Sequence, residues 1–86
     1  MIKIDKHRNF KTYFQKLSKK QKDIFYKRMQ LFVENPRNSL LKLHRLHGNL
    51  EGFYSFSLGG DLRVIFEWIS KDRIILYKIG THNKVY

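Results

Sequence analysis

The stretch FYSFSLGGDLRVIFEWISKDRIILYKIG, residues 53–80, decides the fold. Residues 53–58 and 62–69 are rich in aromatic and β-branched side chains and flank Gly59-Gly60-Asp61. That pattern predicts two strands joined by a short glycine-bearing hairpin loop. In the second of them Leu62, Val64, Phe66 and Trp68 share one face, and Arg63, Ile65 and Glu67 share the other. Ser70-Lys71-Asp72 marks another turn, and residues 73–79 read as a further strand ending at Gly80. One face of this hairpin is apolar and needs a cover.

The cover lies upstream. Phe10, Tyr13, Phe14 and Leu17 recur at the spacing of one helical face. Ser18 stands at an N-cap position before KKQKDIFYKRMQLFVEN, in which Phe25, Met29 and Phe32 repeat at +4 and +3, with Ile24 and Leu31 seven apart. Pro36, the chain's one proline, closes this second helix. Helices are expected near residues 8–17 and 19–34, with Lys16, Lys19, Lys20, Lys22, Lys27 and Arg28 on their wet side. MIKID reads as a short opening strand with Ile2 and Ile4 on one side. The expected architecture is α+β in the order β-α-α-β-β-β, two N-terminal helices on one face of a small, about four-stranded, mainly antiparallel sheet. The face carrying Arg63, Ser55 and Ser57 is then expected to stay open.

Composition narrows the function. At 86 residues the chain has room for one domain, residues 1–86, and its 42% hydrophobic content with 13 aromatics is enough for a small core. Cysteine is absent, which excludes disulfide staples, thiol catalysis and cysteine zinc sites. The opening MIKIDKHRNF lacks the apolar core of a secretory signal, and no 18-residue apolar run exists, so a cytoplasmic protein without membrane contact is expected. The net charge is +11, and it is lopsided: residues 1–50 hold 13 basic and 3 acidic side chains, residues 51–86 hold 5 and 4. Such an excess favours phosphate-rich or acidic partners.

Most catalytic classes lack their parts. There is no HExxH, His44 and His47 have no carboxylate beside them to complete a metal set, and no serine sits in a nucleophile elbow. No metal or cofactor is expected. Histidine, arginine, tyrosine and aspartate on a basic chain are nevertheless the parts of metal-independent RNA cleavage. In that reaction a base takes the ribose 2′-OH proton, an acid protonates the 5′-oxygen, and a cation stabilises the phosphorane.

Leu46/Gly48, Gly52, Gly60-Asp61-Leu62-Arg63 and the closing Gly80-Thr81-His82 with Val85-Tyr86 resemble the RelE/ParE toxin superfamily, in particular its RelE/StbE and YafQ-like branch. The resemblance is close over the second half of the chain; the first half agrees in length and in the β-α-α order. It implies a toxin of a type II toxin–antitoxin system, a ribosome-dependent mRNA endonuclease blocked by a cognate acidic antitoxin, with ribosome and mRNA as its other partners. A monomer is expected when the antitoxin is absent. By the same resemblance the catalytic residues are His82, Arg63, Asp61, His44 and Tyr86: His82 for proton transfer, Arg63 for the scissile phosphate, Tyr86 for stacking or a phosphate contact. Lys42, Arg45, His47, Lys78 and Lys84 are the expected RNA contacts. Ser57 stands where the family often has a basic or histidine side chain, and Leu62 where it has an aromatic.

Plainer readings stand beside these. His82 could cap a strand end, Arg63 could pair with Glu67, Asp61 could serve its turn alone, and His44 and His47 could be wet loop residues. A ParE-like gyrase inhibitor would share the fold, although such chains usually lack the closing histidine, and a decayed toxin would bind RNA or antitoxin without cutting. The charge alone generates one test. Affinity for RNA should fall steeply between low and physiological salt; binding indifferent to salt in a filter assay would contradict the electrostatic reading.

Overall fold

Period-two alternation in the second half of the chain builds a sheet, and the amphipathic first half supplies the helices that cover it. The computed structural model describes residues 1–85, the side chains of Asn83 and Lys84 excepted. Its elements are β1 (Lys3–Lys6), α1 (Arg8–Gln15), α2 (Lys19–Glu34), β2 (His44–Arg45), β3 (Tyr54–Gly59), β4 (Leu62–Ser70), β5 (Arg73–Thr81) and a short α3 (His82–Val85). The strands form one five-stranded sheet in the order β1-β5-β4-β3-β2, with β1 parallel to β5 and the other pairs antiparallel. The strand beyond the expected four is β2. Its two residues have no periodicity to read, and it exists through its pairing with Tyr54 and Ser55 at the sheet edge.

Both helices begin where their caps dictate. Ser18 Oγ accepts the Gln21 N–H at 3.1 Å, and Gln21 Oε1 accepts the Ser18 N–H at 2.9 Å, a reciprocal capping box. His7 caps α1 by accepting the Asn9 N–H on Nδ1. The faces thus presented carry Phe10, Phe25, Met29 and Phe32 into a core with Phe56, Leu62, Val64, Phe66, Ile74 and Leu76. Phe32 is the link between the layers: it is fully buried, stacks on Phe56 at 4.7 Å and meets Phe66 edge-on at 5.3 Å. Ile2 and Ile4 pack against the same core. Two of the cations expected on the wet side are engaged instead. Lys22 places its ammonium 5.5 Å from the centre of the Phe14 ring, and Arg28 donates to the Leu40 carbonyl at 3.1 Å.

The opposite face is not left open along its whole length. Leu46, Ile65 and Val85 are buried there as a second, smaller cluster, with Leu50 and Phe53 packed on it. Ser55, expected on that open face, is 1% exposed. Further along, the β4–β5 register skips Tyr77, since Ile65 pairs with Lys78 and Phe66 with Leu76. This bulge places Tyr77 against His7 (4.8 Å, stacked) and Phe53 (4.9 Å, edge-on), with its hydroxyl donating to Glu67 at 3.2 Å. Glu67 is therefore a partner of Tyr77, and Arg63 lies beside Asp61.

Two predictions follow from this packing. Phe32→Ala should cost about 3–5 kcal/mol, enough to leave a domain of this size largely unfolded, and Ser18→Ala about 1 kcal/mol. Urea denaturation followed by circular dichroism measures both, and a loss below about 1 kcal/mol at Phe32 would contradict the layer-linking role. Tyr77 gives a pH signature. Burial first, then the hydrogen bond and charge of Glu67, raise its phenol above the ordinary value of 10.0. A raised folded value means the contribution is complete below pH 10 and is lost as pH rises through the folded value. Between about pH 9 and 11 the urea midpoint of Tyr77→Phe should fall less than that of the parent; equal slopes would exclude the linkage.

Candidate functional site

Cross-strand pairing brings three of the expected site residues, Asp61, Arg63 and His82, to one end of the sheet. Arg63 on β4 sits opposite Ser57 on β3 and Gly80 on β5. Its lateral neighbours are thus a hydroxymethyl group and a hydrogen. One residue earlier, Leu62 pairs with Thr81, so the hairpin tip lies beside the start of α3 and His82. Asp61 belongs to the tip itself. The turn forms because Gly59 and Gly60 adopt φ of 109° and 54°, which side-chain-bearing residues rarely take. Ser57 Oγ accepts the Gly59 N–H at 3.0 Å and holds this irregular corner. Ser57 is therefore a turn-fixing residue here.

Asp61 Oδ1 lies 3.8 Å from Arg63 Nη2, with the Arg63 side chain 21% exposed and that of Asp61 60% exposed. At this separation the carboxylate biases the guanidinium without a short hydrogen bond in that pair. Arg63 thus holds a permanent positive charge at a partly desolvated position, where attraction to phosphate is stronger than in bulk water. His82 is exposed at the first position of α3. A four-residue helix does not persist alone. It is held by Val85, which is buried against Leu46 and Ile65, so the small cluster on this face positions His82.

His44 joins the same face from the edge. It pairs with Ser55, Ser55 with Ile65, and Ile65 with Lys78, so the four side chains form one row beside that of Arg63. His44 Nδ1 lies 3.0 Å from the Lys42 carbonyl oxygen. A carbonyl only accepts, so Nδ1 carries the hydrogen, and in the neutral ring Nε2 offers its lone pair. Two strand spacings, about 10 Å, separate His44 from β4.

The remaining expected contacts divide. Lys78 lies in the His44 row, and Lys42 is exposed just before β2, in the left-handed conformation at φ 49°. Arg45 pairs with Tyr54, which pairs with Phe66, so it lies in the row of the helix-covered face, away from Arg63. His47 is exposed on the following loop with Nδ1 4.0 Å from Glu51 Oε2. Tyr86 and the Lys84 side chain lie outside the described residues. Among the described residues no three His, Cys, Asp or Glu side chains come together as a metal site. No helix there is long and apolar enough to cross a membrane. Pattern reading missed Val85 as the anchor of His82; its signal was the apolar residue three positions after the histidine.

No protein-family model and no curated protein matches the chain in sequence. Solved structures do match it in shape. YafQ from E. coli strain BL21(DE3) superposes with a TM-score of 0.81 at 18% identity, covering 100% of this chain and 99% of the other. YafQ in the E. coli DinJ–YafQ toxin–antitoxin complex gives 0.78 at 18% identity over 99% and 97%. A YoeB/ParE toxin from Agrobacterium tumefaciens gives 0.72 at 15% identity over 94% and 99%. With two helices on one face of a mostly antiparallel sheet, the chain shares the fold of these YafQ and YoeB/ParE toxins.

Proposed function

We propose that this protein is the toxin of a type II toxin–antitoxin pair and that it cleaves mRNA on the ribosome without a metal ion. The observation that carries the reading is the register that sets Arg63 opposite Gly80 and the hairpin tip beside His82. A guanidinium and an imidazole at one end of a sheet face are a phosphate-binding cation and a proton-transfer group.

In the proposed reaction the ribose 2′-oxygen attacks the adjacent phosphorus and gives its proton to a base. The bond to the 5′-oxygen breaks, and that oxygen takes a proton from an acid. A 2′,3′-cyclic phosphate and a 5′-hydroxyl result. His82 serves one proton transfer, and the Nε2 of His44 serves the other. Arg63 stabilises the charge that grows on the non-bridging oxygens, in a partly desolvated setting where such stabilisation is strongest. Asp61 keeps the guanidinium oriented, and Tyr86 stacks on a base. Lys42 and Lys78 take flanking phosphates on the site face; Arg45 does not serve the scissile phosphate, because its row lies on the other face.

The partner follows from charge. A chain of +11 is matched by an acidic antitoxin, and the structurally similar YafQ is found in complex with DinJ. The alternative gyrase reading shares the fold but gives no task to His82.

Cleavage of a programmed ribosome at saturating protein tests the proposal. His82→Ala should slow it by ~10²–10⁴-fold, the usual contribution of a general acid or base, with folding intact because the side chain is exposed. Arg63→Ala should act comparably through lost charge stabilisation, and Tyr86→Ala less. If His82→Ala cuts as fast as the parent, the assignment fails. Stalled replication with intact messengers in expressing cells would instead indicate gyrase.

A further inference from the structure

A large groove lies away from Arg63 and His82. Strand β4 runs between two turns: Asp61 and Arg63 are at one, Ser70 and Lys71 at the other. Beneath the second turn, on the helix side of the sheet, a groove of about 610 Å³ opens between the end of α2 and the β2 edge. Arg37, Arg45 and Lys71 bring three permanent cations to it, His44 stands at its rim, and Tyr54 and Trp68 line it. Among the described residues that line it there is no carboxylate. Tyr54 packs on Phe66 at 5.8 Å and Trp68 on Phe32 at 6.1 Å, so both rings are braced from the core while remaining part-exposed to the groove.

Braced aromatic rings ringed by cations form a platform for single-stranded nucleic acid: bases stack on the rings and phosphates meet the cations. An acidic peptide would satisfy the charges but would leave the two ring surfaces with no planar partner. We infer that this groove is a second RNA site, which holds an uncut single-stranded segment by one or two stacked bases and two or three phosphates. The inference extends the ribonuclease reading given above. Because β4 alternates, Trp68 faces the helices and Arg63 the other side, so the anchored segment is not the one at the scissile phosphate. His44, on the edge strand, borders both regions, and a strand could pass from one to the other around that edge.

Trp68 is the chain's one tryptophan and therefore a built-in reporter. A hexaribonucleotide carrying 2′-O-methyl groups has no attacking hydroxyl and stays uncut. Titrated into the full-length protein, it should change Trp68 emission saturably. Arg37→Ala combined with Lys71→Ala, both exposed and outside the proposed catalytic residues, should weaken binding at least about tenfold. It should also lower the salt slope by about 1.4, from roughly 0.7 per lost phosphate contact. Arg63→Ala and His82→Ala should leave the emission titration within twofold of the parent. No saturable change, an unchanged titration in Arg37→Ala/Lys71→Ala, or equal loss in Arg63→Ala would overturn the inference. So would tighter binding of a glutamate-rich peptide of the same charge than of the RNA. The two readings fail separately: an emission change without ribosomal cleavage by the parent refutes the nuclease alone, and cleavage without an emission change refutes the groove alone.

Discussion

The pairing of β4 with both its neighbours is the constraint on which the rest depends. Its side-chain period is two, so one choice of register sends Leu62, Val64, Phe66 and Trp68 under the helices and Arg63, Ile65 and Glu67 to the other face. A slip by one residue would exchange the sets, burying an arginine and a glutamate beneath α2 at prohibitive cost. The hydrophobic demand of the core therefore fixes where the guanidinium points. Arg63 needs no dedicated support to face outward, since every apolar contact of its neighbours enforces it.

Much of this is legible in the sequence. The helical spacing of Phe10 to Leu17 and of Phe25 to Phe32, the Ser18 cap and the Gly59-Gly60 turn are local signals, and local signals survive tertiary context when they agree with one another. The features that escaped are those that no local pattern encodes. Strand β2 is two residues long and is defined by its partner. The second cluster draws Leu46, Ile65 and Val85 from three separate segments. The Tyr77 bulge moves a side chain onto the face where it meets Glu67, and a β-bulge leaves little trace in an alternating sequence. Of the candidate site, the placing of Asp61 in the hairpin tip and of Arg63 on the face opposite the core stripe was readable. The side to which Arg45 belongs was not, because that depends on the register of a strand too short to show alternation.

The basic half of the chain also divides its labour in ways that charge counting hides. Arg28 is tied to the Leu40 carbonyl and helps hold the segment after α2, and Lys22 lies over Phe14. Arg73 grips Asp5 with both contacts at 3.1 Å and fastens β1 to β5. Such cations are part of the scaffold. Arg37, Arg45 and Lys71 instead surround an open groove with no acid among its described lining. Electrostatic attraction to a polyanion is concentrated where cations gather without counter-charges, so a net charge of +11 overstates the surface that can bind and understates its focus.

Arg63 and the smaller apolar cluster share one strand face. Ile65, between Arg63 and Glu67 in that face's sequence, forms the floor on which Val85 rests, and Val85 keeps the short α3 in place with His82 at its start. The main core sets the direction of Arg63, but the small cluster sets the position of His82. The two groups of the site thus depend on different packing. Loss of a methyl group at Ile65 or Val85 is absorbed by a cluster with little redundancy, so it shifts the imidazole relative to the guanidinium while the helix-covered core remains intact. A proton-transfer group tolerates such displacement poorly, because its hydrogen bonds span only a few tenths of an ångström of useful distance. For this fold, the placing of His82 relative to Arg63 consequently rests on less packing than stability does, and its support lies in Leu46, Ile65 and Val85.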